Sequence, residues 1–188
     1  TAEVESLVFG IEIDNERTSN TRYLASLTVS FSREGIRTLL RRAEVPFSET
    51  AARPALVLPV YNAAGAQLLW DEPNPWREAW AVVHGRDTLM PLVLPNGDLI
   101  DISLVSAAQA SRGDDARLDA IANRYVLQDV LVAEANLRFA IGSRIPSIDV
   151  VLRTHGPGGE HTAVEGFRGA EREPVSALLA RVVRDISF

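Results

Sequence analysis

Residues 55–60 read ALVLPV, an apolar run without polar alternation. Such a run predicts a strand covered on both faces, so helices must lie on either side of the sheet that contains it. Pro59 near its end weakens the strand there. Asn62 to Gly65 then reads as a turn, and Gln67–Trp70 as a short returning segment. Asn74-Pro75 sets an N-cap residue ahead of a proline at the first helical position, which predicts a helix to about His84. Residues 90–94, MPLVL, read as a strand, and Asn96-Gly97 turns the chain. Asp98 is placed to cap a helix ending at Gly113, with Asp101 in capping-box position. Asp114 or Asp115 caps the next helix, where Leu118, Ile121, Ala122 and Tyr125 share one face.

Residues 129–139, 147–154 and 162–168 read as strands, with His155–His161 as the turn between the last two. Pro174 opens a terminal helix whose stripe of Val175, Leu178, Leu179, Val182, Val183 and Ile186 must dock on the sheet. Upstream of 55–60, residues 6–13 and 23–31 read as strands joined by a polar link over Asp14–Thr21. Ser32 caps a helix with apolar Ile36, Leu39, Leu40 and Ala43, which Pro46 ends. The polar stretch 47–54 is the plausible internal boundary, separating a ββα segment (1–51) from a mixed domain (52–188). The fold class expected is α/β to α+β: a mixed β-sheet packed by several helices, with an N-terminal ββα extension.

With 188 residues and 46% hydrophobic content, the chain can bury a core without disulfide or metal. It has no Cys, which excludes thiolate nucleophiles, thiolate zinc sites and disulfides. All 19 basic residues are Arg, so Schiff-base and P-loop chemistry lack their lysine. A net charge of −6 opposes a phosphate backbone, so nucleic acid is not an expected partner. No apolar run approaches the roughly 18 residues needed to span a bilayer.

Four groups carry candidate chemistry. Trp70, Trp76 and Trp80 offer a recognition surface for a partner or a sugar ring, against the commoner role of core anchors. Asp71, Glu72, Asp98 and Asp101 offer paired carboxylates, although Asp98 and Asp101 also sit where helix caps belong. Arg33, Arg37 and Arg41 line one helix face and could meet an acidic partner or lipid headgroups; a solvated face salted by Glu34 and Glu44 is the plainer reading. His155, His161 and Glu160 flank one turn and are weak metal candidates, fewer than a closed zinc site needs. The Gly-Pro-Gly-Gly run at 156–159 lies between strands, so it reads as a turn rather than a phosphate cradle. No G-x-S-x-G or H-E-x-x-H motif is present.

The stretches NERTSNTRYLASLTVSF, IRTLLRRAEVPFSE, ALVLPVY, LLWDEPNPWREAW, LVLPNGDLID and IANRYVLQDVLVAEA resemble an exported proteobacterial domain-of-unknown-function family, number 2066, over nearly the whole chain. The tryptophan segment and PNGDLID are the most specific parts of that likeness. Residues 52–188 also resemble the N-terminal domain of TolB, through ALVLPV and RYVLQDVLVAEA. These resemblances imply a periplasmic location, a signal peptide and further segment ahead of Thr1, and a module that binds envelope proteins without catalytic residues or cofactor. The expected function is therefore a non-enzymatic interaction or scaffold domain of the cell envelope. The alternative is a small-ligand or carbohydrate binder, extending to a hydrolase, built on the tryptophans and the four carboxylates.

Overall fold

The computed structural model describes residues 7–18, 23–42, 53–83 and 90–186. The chain divides into two compact units, 1–50 and 51–188.

In the first unit, β1 (Val8–Thr18) and β2 (Tyr23–Phe31) form an antiparallel pair. The expected link over Asp14–Thr21 is shorter than its polarity suggested, because Asn15, Glu16, Arg17 and Thr18 continue the ladder opposite Ser26, Ala25, Leu24 and Tyr23. A two-stranded ladder is held by backbone groups, so polar side chains do not end it. Helix α1 (Arg33–Arg42) follows. Ser32 caps it as expected: its hydroxyl accepts from the Gly35 N–H at 3.1 Å, and its carbonyl accepts from Ile36 at 2.9 Å. Pro46 and the boundary stretch up to residue 52 lie outside the described residues.

The second unit is a mixed sheet of six strands: β3 (Ala55–Ala63), β4 (Ala66–Leu68), β5 (Leu92–Val93), β6 (Asp129–Phe139), β7 (Pro146–His155) and β8 (His161–Arg168). Its order is β4-β3-β6-β7-β8, with β5 also paired to β3. Strands β5 and β6 run parallel to β3; the other pairings are antiparallel. The long crossover between β3 and β6 holds β5 and four helices: α2 (Pro75–Val83), α3 (Leu99–Leu104), α4 (Ala107–Arg112) and α5 (Asp115–Arg124). The terminal helix is α6 (Val175–Ile186).

Strand β3 is buried through Tyr61, beyond the proline that was expected to weaken it. On its outer side β5 pairs with Ala55 and Leu56, and β4 with Tyr61 to Ala63. Pro59 falls in the gap between them, where a missing N–H removes no ladder bond. The expected strand over 90–94 shrinks to Leu92–Val93, the two residues that reach β3.

The period of two in the strands makes two cores. On one face, Val57, Leu131, Ala133, Ile148 and Val150 meet Trp76 and Trp80 of α2 and Leu178, Leu179, Val182 and Val183 of α6. On the other, Leu56, Leu58, Val60, Val130 and Val132 meet Val105 and Leu118, Ile121 and Ala122 of α5. The apolar run 55–60 is thus covered on both sides, as its composition requires.

The single helix expected between Asp98 and Gly113 is two. Val105 is extended (φ −146°, ψ 131°) and fully buried, and its carbonyl accepts the Trp70 indole N–H at 2.7 Å. Ser106 then restarts the helix with a complete capping box, its partner being Gln109. The Ser-x-x-Gln signal stands in the sequence; the break before it depends on Val105 being pulled into the core. At α5 the cap is Asp114, whose carboxylate accepts from the Arg117 N–H.

Candidate functional site

The tryptophan segment divides between core and surface. Asn74 caps α2, accepting from the Arg77 N–H at 3.0 Å, and this fixes which face of the helix meets the sheet. Trp76 and Trp80 lie on that face, 0% and 3% exposed, in an edge-to-face pair with centroids 5.7 Å apart. The Trp76 indole N–H donates to the Ala133 carbonyl of β6 at 2.8 Å. These two rings are buried in the core and have no free face for a ligand. Trp70 is half-buried, with the Arg77 guanidinium 5.7 Å from its ring centre. It lines a cavity of about 420 Å³ together with Asp71, Gln67, Leu69, Ile102 and Ser106. Asp71 and Glu72 are both exposed.

Asp98 and Asp101 are brought together, but by an arginine. The Asp98 carboxylate caps α3, accepting from the N–H groups of Ile100 at 2.9 Å and Asp101 at 3.1 Å. Arg124, at the end of α5, grips the same carboxylate with both terminal nitrogens. Asp101 is fully buried. It does not close a capping box back to Asp98. Its carboxylate accepts instead from the Gly97 N–H and the Tyr125 hydroxyl, each at 2.8 Å, and pairs with Arg124 at 2.9 Å. Gly97 sits at φ +75°, a backbone conformation that the turn needs and that glycine adopts without strain. The PNGDLID segment is a latch that joins the start of α3 to the end of α5. The oxygens of the two carboxylates are thus held by Arg124, by the Tyr125 hydroxyl and by backbone N–H groups.

The hydrogen bonds from Arg124 and from the α3 backbone lower the Asp98 pKa to about 2. A folded-state value below the unfolded one stabilises the fold above about pH 4, and that contribution fades as pH falls toward 2. Arg124→Gln is expected to return the Asp98 carboxyl toward the ordinary carboxylate range and to shrink the acid-side loss of stability between those two pH values. Carbon-detected titration of the Asp98 carboxyl measures the first, and urea unfolding at several pH values measures the second.

The arginine row Arg33, Arg37 and Arg41 falls on α1, but those side chains lie outside the described part of the structure, as does His84.

The two histidines of the turn are not cross-strand partners. His161 stands opposite Thr154, not His155. Cross-strand partners share a face and successive residues alternate, so His155 and His161 point to opposite sides of the sheet and cannot share an ion. His155 instead faces α5. Its Nε2 lies 2.8 Å from the Asp119 carboxylate and its Nδ1 3.3 Å from that of Asp115. Glu160, on the turn, completes a group with Asp115 and His155. The turn approaches the start of β6 so closely that a side chain at Gly156 would meet the Gln128 carbonyl at 2.8 Å. Asp115 and Asp119 were not legible as partners of His155, because nothing local says that α5 runs past the end of β7.

No family model matches this chain, and no curated protein does. The resemblances to the exported family and to TolB are therefore carried by the quoted residues alone. Two solved structures of bacterial proteins are similar in part. The PelC dodecamer from Paraburkholderia phytofirmans matches at 12% identity and a TM-score of 0.41, over 73% of this chain and 88% of that one. The lipoprotein GNA1162 from Neisseria meningitidis matches at 14% identity and a TM-score of 0.43, over 72% of this chain and 93% of that one. At these scores the likeness is partial, and nothing about this chain's activity follows from it. Among the described residues no helix is long and apolar enough to cross a membrane.

Proposed function

We propose that this chain is an exported bacterial envelope protein, located in the periplasm, that works by holding other envelope proteins rather than by catalysis. The observation that supports it most directly is strand β8. It pairs with β7 along one side, and no strand among the described residues pairs with its other side. Every residue in it except Phe167 is exposed, including Val164 at 67%. It contains no proline, and its charges are confined to Glu165 and the terminal Arg168. A strand of this kind is a template for an added strand from a partner, which main-chain hydrogen bonds would hold. The envelope location rests on the sequence resemblance.

Affinity capture with gentle cross-linking in the native host tests the proposal. A reproducible envelope partner is expected, and Val164→Lys should remove it while shifting stability by no more than about 0.5 kcal/mol, as exposed substitutions do. A partner that Val164→Lys retains would refute strand addition, and repeated empty capture would refute the interaction role.

The second reading, a small-ligand or carbohydrate binder, is favoured by the cavity beside Trp70 and Asp71. Saturation-transfer contacts from sugars or peptidoglycan fragments that vanish in Trp70→Ala would support it.

A further inference from the structure

We propose that Asp115, His155 and Glu160 form a divalent-metal site of the zinc class, with Asp119 orienting the imidazole from behind. One ligand atom from each of the three lies within 4.8 Å of the others. They come from three different places, the first turn of α5, the last residue of β7 and the turn before β8, so tertiary folding assembles them.

The histidine carries the argument. A neutral imidazole has one N–H and one lone pair. Here both ring nitrogens face carboxylate oxygens, at 2.8 Å and 3.3 Å. The shorter contact suits an N–H donated from Nε2 to Asp119. That leaves the Nδ1 lone pair turned toward the Asp115 carboxylate, a repulsive contact unless a cation joins it. Either a second proton or a metal ion would do so, and Glu160, arriving at the same place, favours the metal. With metal–nitrogen and metal–oxygen bonds of about 2.1 Å, tetrahedral ligands lie about 3.4 Å apart. The Nδ1 to Asp115 separation already meets that spacing. Glu160 is on an exposed turn and can close the remaining distance. A carboxylate on the far nitrogen of a ligating histidine is the usual second support of such a site, and Asp119 supplies it.

The surroundings admit an ion. A cavity of about 270 Å³ opens beside His155 and Glu160, with Arg112 and Arg153 also on its wall. Arg153 is bound by Glu134 at 3.2 Å, while Asp115 and Asp119 lie against the imidazole. One imidazole and two carboxylates suit zinc and its first-row neighbours better than calcium, which takes an all-oxygen shell. Three protein ligands leave a coordination position open to water.

Calorimetric titration of zinc into the chelator-stripped full chain is the test. One saturable site per chain is expected. His155→Ala should abolish it, Asp115→Asn and Glu160→Gln should weaken it, and Asp119→Asn should weaken it about 10- to 100-fold. His161→Ala should leave it unchanged. Because Glu160 is exposed, Glu160→Gln keeps the test independent of folding, and circular dichroism checks the other variants. A wild-type chain without saturable zinc binding overturns the proposal, as does full affinity in Glu160→Gln or His155→Ala. So does a His155 ring doubly protonated at neutral pH whose nitrogen resonances zinc does not move. None of these outcomes bears on strand addition at β8, so the two proposals fail separately.

Discussion

Trp76→Ala is expected to lower the unfolding free energy by about 3–5 kcal/mol, the range for removing a large buried aromatic. A domain of this kind has about 5–15 kcal/mol in total, so the variant should melt far earlier or fail to fold at ordinary temperature. Three losses combine. The ring is fully buried between the sheet and α6, so its removal opens a cavity there. Its edge-to-face contact with Trp80 disappears. The Ala133 carbonyl loses the indole donor. Trp76→Phe separates these effects, since it keeps most of the volume and forfeits the hydrogen bond, for about 1 kcal/mol from that source. Trp80 is the internal comparison: its indole nitrogen is buried without a hydrogen-bond partner among the described residues. Trp80→Phe should therefore cost less than Trp76→Phe. Urea unfolding of the four proteins measures all of this, and equal costs for the two phenylalanine variants would contradict the assignment.

The second large effect is expected at Asp101. Asp101→Ala should cost about 3 kcal/mol, the lower end for breaking a buried charged pair, because Arg124 keeps Asp98 as a partner. The Gly97 N–H and the Tyr125 hydroxyl would both lose their acceptor. Asp101→Asn keeps the shape but removes the charge beside Arg124 and turns either an N–H or a weaker acceptor toward each donor. It should fall between wild type and alanine. Tyr125→Phe deletes one donor and should cost only about 1 kcal/mol. Thermal melts and hydrogen exchange of the Gly97 amide check these values. An Asp101→Ala variant as stable as wild type would mean that the latch does not hold α3 to α5.

Much of this was legible because it is local. Ser32, Asn74, Asp98 and Asp114 announce helix starts through hydroxyl, amide or carboxylate groups that bond to an N–H within three residues, and each does so in the structure. The apolar run 55–60 and the stripe on the terminal helix likewise stated which surfaces had to be covered. Errors arose where a residue's fate depends on a distant one. Val105 breaks a helix because it is buried and its carbonyl meets Trp70. Asp101 looked like half of a capping box and is instead the buried acceptor for groups from two distant points of the crossover, Gly97 and Tyr125. Asp71 and Trp70 stay together at a cavity, while Trp76 and Trp80 leave the surface altogether.

By itself, then, the amino-acid order determined a mixed sheet with helices against it, because hydrophobic periodicity and capping act over a few residues and need no knowledge of the rest of the chain. Tertiary structure alone decided the chemistry of the histidine turn. The register of β7 against β8 sends His155 and His161 to opposite faces, and the path of α5 brings Asp115 and Asp119 to the first of them. A one-residue change of register would reverse those faces. Side-chain convergence of this kind is a property of packing, and it is fixed only when the strands have paired and the helix has docked.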